Sequence, residues 1–360
     1  MPLFCRIGPI LVTACFISAA AAQTGRPAAS DALANTQPEL QPQALTQAPQ
    51  GGRAVWSLYW ENDGAIKPNH ETDRHYTNGA RIVMSAQHQW ADDLARWMPL
   101  APAQGDDLGV AAFYSVAQLI FTPDNIEKPA ARRPDDRGYA GWLYFSVGLE
   151  RASESIADRV DLKLGVIGPS SLAEQAQQNV HDIFDPNREP IGWDDQLDDR
   201  FAIDLDVNRR WKFNIDNDDT DNVDIEFIPE MGFTVGTVHD HLMVGATLRI
   251  GSPFLPSDFG AGRLEAPTTA LAYPSGEADA NENLSWSLYG RVEGRAVLRN
   301  DLLKSVDPED FFGSVQVGVT FLIANNLTIG YSQTWFSQEY KTQIANDSIA
   351  AVTVTWSYAY

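Results

Sequence analysis

Several features that would assign the sequence to common protein classes are missing or scarce. Only two of its 360 residues are cysteine, and beyond residue 22 no apolar run approaches the roughly 18 residues that a membrane-spanning helix needs. Basic residues are also scarce, since 26 Lys and Arg are outnumbered by 48 Asp and Glu, which gives a formal net charge of −22. Nucleic-acid binding requires a basic surface, so nucleic acid is excluded as a partner. G-x-S-x-G and Walker A motifs are absent too, which disfavours an α/β-hydrolase serine nucleophile and nucleotide binding.

The N-terminal segment has the organisation of a secretory signal peptide. A basic residue precedes an apolar run that ends in small alanines. This pattern predicts a signal peptide at residues 1–22 that is cleaved after Ala22. The alternative, a lipoprotein cleavage box at residues 12–15, is disfavoured because apolar residues continue past Cys15. Cleavage after Ala22 removes both cysteines, so we expect neither disulfides nor thiolate metal sites in the mature chain.

The rest of the chain divides into a short polar segment and one large domain. Residues 23–52 are rich in Ala, Gln, Pro and Thr without apolar periodicity, so we predict a flexible N-terminal segment there. Residues 53–360 are long for an ordinary domain but suit a single β-barrel. In the final stretch, IAAVTVTWSYAY, apolar residues alternate with small or hydroxylated ones, as in a transmembrane barrel strand. A terminal strand of a soluble β-sandwich is the alternative.

Strand-like alternation recurs throughout residues 53–360. We therefore predict an all-β fold, a transmembrane antiparallel β-barrel of about 12 strands, which is an even number as bacterial barrels require. The predicted strands lie near residues 53–61, 79–88, 109–121, 142–150, 159–166, 202–214, 224–236, 241–251, 284–299, 312–323, 327–338 and 350–360.

The order of the strands assigns each connection to one end of the barrel. With both termini on the periplasmic side, the connections at 62–78, 122–141 and 167–201 all fall on the outer side. One short helix is predicted in the third of them, at residues 172–184, because this stretch lacks Gly and Pro and follows a capping-box spacing of Ser171 and Glu174. The connection at 252–283 fits poorly, because periplasmic turns are normally short.

The outer connections carry the side chains that could do chemistry. His181 is the candidate general base, because imidazole titrates near neutral pH, although a lone loop histidine is more often an ordinary surface residue. Oxygen-bearing side chains at the same end are Asn62, Asp63, Thr72, Asp73, Tyr76, Thr77, Asn78, Asp135 and Asp136. Such a cluster suits a hard cation, Ca²⁺ rather than Zn²⁺. Asx turns and rim ion pairs, such as Asp73 with Arg74 or Asp136 with Arg137, are the alternative explanation.

Five segments resemble the signature blocks of the outer-membrane lipid A 3'-O-deacylase family. They are WEND from Trp60, TDRHYTNGARI from Thr72, DDRGYAGWLY from Asp135, GVIGPSSLAEQAQQNVH from Gly165 and GWDDQL from Gly192. The resemblance covers essentially residues 55–360. It implies a twelve-stranded barrel in the bacterial outer membrane, with an active site on the cell exterior between the barrel wall and a helical loop. It also implies hydrolysis of the ester-linked acyl group at the 3' position of lipid A, with lipopolysaccharide as substrate and outer-membrane lipids as surroundings.

The resemblance assigns roles to individual residues as well. The catalytic residues that it implies are His181, Gln177, Thr77 and Asn62, and the implied cation ligands are Asp63 and Asn62. By chemistry similar to that of phospholipase A2, His181 activates water and Ca²⁺ serves as the oxyanion hole. For a glutamate that the family can place beyond the histidine, Asp185 or Glu189 is the expected substitute. Rim aromatics such as Trp142 and Trp193 either contact acyl chains or belong to an interfacial girdle.

Two other functions are compatible with the same barrel. One is a noncatalytic outer-membrane protein, a pore or a protein that binds lipopolysaccharide or cations, and the other is a phospholipase on the same scaffold. A pore gives no reason for His181, Asp63 and Thr77 to converge, whereas a hydrolase requires it. The position of these three side chains in the fold therefore discriminates between the alternatives.

Overall fold

The computed structural model describes ten segments of the chain. They are residues 53–63, 73–96, 107–128, 135–184, 189–215, 223–252, 258–260, 262–265, 284–324 and 326–359. The predicted signal peptide, residues 1–22, and the predicted flexible segment, residues 23–52, lie outside the described residues and stay predictions.

The described chain forms one antiparallel sheet that closes on itself. Its strands are β1 (Arg53–Asn62), β2 (His75–Ala86), β3 (Asp107–Thr122), β4 (Ala140–Ser153), β5 (Ile156–Ile167), β6 (Arg200–Trp211), β7 (Phe213–Asn214), β8 (Asp224–Gly236), β9 (His239–Gly251), β10 (Leu284–Asn300), β11 (Phe311–Ile323), β12 (Leu327–Phe336) and β13 (Asp347–Ala359). Strands that follow one another in the chain pair side by side, and β1 also pairs with β13, which closes the barrel. β7 continues β6 after Lys212 and both pair with β8, so they form one interrupted strand. The wall therefore has twelve strands, as predicted.

All twelve predicted strands are confirmed, and their boundaries differ from the prediction by a few residues. The largest difference is at β2, which begins at His75 rather than near residue 79. A β-bulge between Tyr76 and Asn78 leaves Thr77 without a paired residue on β3. Because a bulge interrupts the alternation of side chains along a strand, the sequence pattern does not reveal the first residues of β2.

Side chains alternate between the two faces of the wall. On β1, Leu58 and Trp60 are exposed on the outer face, whereas Tyr59 is buried. The inward face is polar, and Arg81 and Asp161 form a fully buried ion pair at 2.8 Å there. An apolar outer face around a polar interior is typical of a transmembrane β-barrel.

Part of the connection between β9 and β10 lies inside the lumen. Of this connection the structure describes residues 258–260 and 262–265. Arg81 Nη1, which points inward, donates to the carbonyl oxygen of Leu264 at 2.8 Å, and the backbone nitrogen of Leu264 donates to Glu61 at 3.3 Å. The described part of the connection thus lies in the barrel interior, so its assignment as a periplasmic turn was incomplete.

A helix at the predicted position lies between β5 and β6. α2 (Ala173–Phe184) confirms the helix predicted at 172–184. The predicted capping box is wrong, because Ser171 belongs to a 3₁₀ turn and its buried Oγ makes no hydrogen bond with any residue that the structure describes. Leu172, in the left-handed region with φ of 59°, turns the chain from the 3₁₀ turn into the helix.

A second short helix, α1 (Gln89–Ala95), lies at the opposite end of the barrel between β2 and β3. Its buried Ala91 and Ala95 pack against Val110 and Leu149 of the wall. The sequence did not predict α1, because seven residues are too few for a helical period to stand out. In the described part of the chain, neither helix is long and apolar enough to cross a membrane.

Candidate active site

α2 packs against the outer face of the wall, near the end of β3 and the start of β4. Gly141 lies on the same side of β4 as the exposed Phe145, and a Cβ atom at this glycine would collide with Ser171 and Ala173. Glycine therefore allows the start of α2 to approach the strand backbone. On β3, Gln118 Nε2 donates to the carbonyl oxygen of Ser171 at 2.7 Å. The helix thus stands beside the outer surface of the barrel, not over its lumen.

His181 on α2 contacts an aspartate from the loop between β1 and β2. Its Nε2 lies 2.5 Å from Oδ2 of Asp73, and only 9% of the His181 surface is exposed. A carboxylate beside a histidine orients the ring and stabilises its protonated form. The pair has the arrangement of a general base with its orienting acid.

The ion pairs expected as the alternative explanation do not form. Asp73 pairs with His181, while the Arg74 guanidinium lies 3.3 Å from Asp347. Asp136 accepts from the backbone nitrogen of Arg137, but the Arg137 guanidinium pairs with Glu339 at 3.1 Å. The sequence placed Asp73 among the candidate side chains without assigning its partner, because contacts between distant loops cannot be read from one sequence.

Three of the predicted site residues come together at the outer end of β1 and β2, namely Asn62, Asp63 and Thr77. The carbonyl oxygen of Thr77 accepts from the backbone nitrogen of Asp63 at 3.2 Å and from Asn62 Nδ2 at 3.4 Å. Asp63 Oδ2 in turn accepts from the backbone nitrogen of Arg74 at 2.8 Å. Because Asp73 precedes Arg74, one short segment contacts both the carboxylate of Asp63 and the imidazole of His181.

Gln177 lies one turn before His181 on α2 and is 4% exposed. Its Oε1 accepts from Trp193 Nε1 at 2.9 Å, and its Nε2 makes no hydrogen bond with the described residues. Trp193 is buried and packs against Tyr139 in a tilted arrangement, with 4.6 Å between ring centroids. Trp142 is buried as well, against Tyr144 on the lumen side. Because both tryptophans are buried, neither contact with acyl chains nor membership of an interfacial girdle applies to them.

The oxygen donors of the first loop fit a hard cation. Asp63 offers a carboxylate, Asn62 an amide oxygen and Thr77 a hydroxyl, and Ca²⁺ prefers such ligands. Among the described residues, no three His, Cys, Asp or Glu side chains lie close enough together to form a metal cluster. The three oxygen donors therefore include only one charged ligand, Asp63. Of the two substitutes expected for a further acidic ligand, Glu189 is exposed and Asp185 lies outside the described residues.

A buried chain of hydrogen bonds links His75, at the start of β2, to residues of other loops. His75 Nδ1 lies 2.7 Å from Asp347, His75 Nε2 lies 2.8 Å from the Tyr340 hydroxyl, and that hydroxyl donates to Asp136 at 2.7 Å. Burial raises the pKa of Tyr340, and its hydrogen bond to Asp136 raises the pKa further. Tyr340 therefore keeps its proton at neutral pH and ties the start of β2 to two other loops.

Comparison with known proteins identifies the family. The family model described as outer membrane protein LpxR matches residues 11–358. LpxR from Salmonella typhimurium has a similar fold, with a TM-score of 0.64, 19% sequence identity, and coverage of 84% of this chain and 99% of that chain. The β domain of the Bordetella autotransporter BrkA (TM-score 0.41, 11% identity, 86% of this chain and 99% of that chain) and the KdgM porin (0.35, 7%, 85% and 99%) match with lower scores. Comparison with curated protein sequences finds no match.

The family model covers nearly the whole sequence, and the Salmonella structure has the same barrel architecture. The predicted fold, the outer-membrane location and the assignment as a hydrolase are thereby confirmed. The chain belongs to the LpxR family of outer-membrane lipid A deacylases.

Proposed function

We propose that the protein hydrolyses the ester-linked acyl or acyloxyacyl chain at the 3' position of lipid A, with His181 as the base that activates water. Family membership supports the reaction class. The observation that supports the choice of base is the contact of 2.5 Å between His181 Nε2 and Asp73, next to the oxygen donors of the first loop. Asp73 is followed by Arg74, whose backbone nitrogen donates to Asp63, and this supports a base close to the proposed cation ligands.

Asp73 determines which nitrogen of His181 acts. Its carboxylate accepts the proton on Nε2, so Nδ1 carries the lone pair that takes a proton from water. The water oxygen then bonds to the acyl carbon, and the ester C–O bond breaks. The proton passes from His181 to the departing sugar oxygen, which leaves a lipid A hydroxyl and a free carboxylic acid. No covalent enzyme intermediate is needed, in keeping with the absence of a serine nucleophile motif.

The remaining proposed catalytic residues shape the site around His181. Gln177 places an amide one helical turn from the imidazole. Thr77 supplies the carbonyl oxygen that holds Asn62 and Asp63, and its hydroxyl lies 2.7 Å from that of Thr122. We assign Thr77 and Asn62 the task of fixing the loop geometry on which the reaction depends.

Ca²⁺ is the cofactor we propose, with Asp63 and Asn62 as its ligands. When bound, it would supply positive charge for the carbonyl oxygen of the ester. Because only one of the proposed ligands is a carboxylate, we predict weak Ca²⁺ binding, with a Kd of about 10⁻⁴ to 10⁻³ M.

The substrate class follows from where the site lies. The outer face of β1, β2 and β3 exposes Trp60, Ile82 and Val116, so acyl chains of a membrane lipid can lie along the strands that carry the site. Lipid A in the outer leaflet would present its esters at the exterior end of such a wall. We therefore place the site on the cell exterior and propose lipopolysaccharide as the substrate.

A noncatalytic pore is the less suitable alternative. A lumen cavity of about 110 Å³ is lined by charged residues that include Arg263 and Arg295, but both arginines pair with Glu293. The lumen also contains the described part of the β9–β10 connection. A phospholipase would use the same His181 chemistry, so the identity of the released acid separates it from a lipid A deacylase.

Mass spectrometry of lipid A from cells that express the protein tests the proposal. We expect the wild-type protein, with Ca²⁺ supplied, to remove the acyl or acyloxyacyl unit at the 3' position. His181→Ala should abolish this loss while the barrel still reaches the outer membrane. His88→Ala, at the far end of the barrel, is the matched control and should retain activity. Full activity of a folded His181→Ala protein would refute the assignment of the base.

A further inference from the structure

The contact between Trp193 and Gln177 determines which end of the glutamine amide is available. An indole nitrogen can only donate a hydrogen bond, so its partner at 2.9 Å must be the amide oxygen. The amide nitrogen Nε2 is then directed away from Trp193. It is buried and makes no hydrogen bond with the described residues, although a buried amide N–H normally has a partner.

The surroundings of Trp193 hold the indole in one position. Trp193 is 2% exposed, packs against the tilted ring of Tyr139, and belongs to a cluster with Ile126 and Ala173. The Tyr139 hydroxyl donates to the carbonyl oxygen of Ile126 at 3.0 Å, whereas the contact between the Tyr139 ring and the indole does not involve this hydroxyl. Through Ala173, the cluster packs the indole against the start of α2, which docks on the barrel wall.

From these observations we infer that Trp193 is a positioning residue, which orients Gln177 so that its amide nitrogen donates a hydrogen bond to the carbonyl oxygen of the bound ester. The inference rests on the proposed function, because the acceptor is the ester whose hydrolysis His181 promotes. The carbonyl oxygen gains negative charge as water attacks, so a donor aimed at it acts more strongly in the transition state than on the bound substrate. The tryptophan touches neither substrate nor reacting atoms.

The kinetic test removes only the indole N–H. Trp193→Phe keeps an aromatic ring but allows the amide to rotate, so we expect kcat to fall roughly 3- to 10-fold with little change in KM. Gln177→Met removes the donor and should lower kcat by about 10²-fold. In the Gln177→Met background, Trp193→Phe should have no further effect on kcat, because there is no amide left to orient.

A matched control separates positioning from general damage to the cluster. Tyr139→Phe removes a buried hydrogen bond from the same aromatic pair without touching Gln177, and we expect kcat close to that of the wild type. If Trp193→Phe lowers kcat equally with and without Gln177, or if Tyr139→Phe has the same effect, Trp193 only supports the fold and the inference is wrong.

A second readout does not depend on the substrate. The chain has ten tryptophans, so the indole N–H signals of ¹⁵N-tryptophan-labelled protein in detergent can be resolved and Trp193 assigned from the signal that Trp193→Phe removes. Gln177→Met should shift this signal upfield, and Gln177→Glu should shift it downfield through a stronger, charge-assisted hydrogen bond. An unchanged signal overturns the Trp193–Gln177 contact. If the shifts occur but no ester is cleaved by the wild type, the contact stands and the proposed function fails, together with the donor role.

Discussion

His181 and Asp73 are 108 residues apart in the chain, yet their side chains lie 2.5 Å apart. A histidine acts as a base only when the nitrogen that faces water carries the lone pair, and an acceptor on the other nitrogen ensures this. Each residue has an ordinary explanation when taken alone, His181 as a surface histidine and Asp73 as a loop carboxylate. Their contact is what makes a catalytic role the better explanation of both.

Asp73→Asn tests this contact. The amide has no charge with which to stabilise protonated His181 and can hold the ring in the wrong tautomer, so we expect kcat to fall by about 10²- to 10⁴-fold. The measurement is the initial rate of fatty-acid release from lipid A in detergent. Asp182→Asn, an exposed neighbour of His181 on α2, is the control and should leave the rate unchanged. A wild-type rate for Asp73→Asn would remove Asp73 from the mechanism.

The cation requirement is tested at Asp63. Asp63→Asn removes the one carboxylate of the proposed Ca²⁺ ligands, so the free Ca²⁺ concentration for half-maximal activity should rise by at least about tenfold. Activity measured in Ca²⁺ buffers gives this value, and Asp182→Asn again serves as the control. Full wild-type activity in excess chelator would show that the reaction needs no Ca²⁺.

The residues that the sequence could predict are those inside contiguous motifs. His181, Asp63 and Thr77 lie in segments that resemble a known family, and the structure brings them to one end of the barrel. The partners of the site residues could not be predicted, because the His181–Asp73 contact joins two separate loops and the Gln177–Trp193 contact joins positions 16 residues apart within one long connection. Such contacts depend on how the loops pack, which local patterns do not encode.

At the scale of elements, the proposed site depends on the close packing of α2 against strand β4. Gly141 provides the space, since a Cβ there would collide with Ser171 and Ala173 at the start of α2. The position of His181 depends on this contact through two turns of helix. A displacement of about 1 Å at the helix start is therefore expected to matter for catalysis.

Gly141→Ala measures how much the position of α2 contributes to catalysis. We expect a folded barrel whose kcat/KM is lowered by about 10- to 100-fold, because α2 must move away from the wall. Gly290→Ala is the matched control, since a Cβ at Gly290 meets no atom within 4 Å. Folding is checked by the heat-dependent shift of the barrel on gels, and equal activities of the two variants would contradict the account of α2 docking.

The elements themselves were largely predictable. A strand in a barrel wall alternates with a period of two residues, and this local pattern revealed all twelve strands. α2 was predictable because twelve residues show a helical pattern, whereas the seven residues of α1 do not. The bulge at Thr77 could not be predicted, because a bulge interrupts the alternation of side chains by which strands are recognised.

At the scale of the whole molecule, the proposed active site lies outside the barrel lumen, which is partly occupied. Ion pairs such as Arg81 with Asp161 and part of the β9–β10 connection lie in the interior, while α2 docks on the outer face of the wall. A substrate would thus reach the site by diffusing within the membrane plane. The sequence indicated an unusual connection at 252–283 but not its place in the lumen, because inward folding of a loop depends on partners throughout the wall.

The most direct test of the central claim is hydrolysis of purified lipid A in ¹⁸O-labelled water by the purified barrel with Ca²⁺ present. We expect mass spectrometry to find one ¹⁸O atom in the carboxylate of the released 3' acid and none in the lipid A product, and we expect no release by His181→Ala. Intact lipid A after incubation with the folded wild-type protein, or label in the sugar hydroxyl instead of the acid, would contradict it.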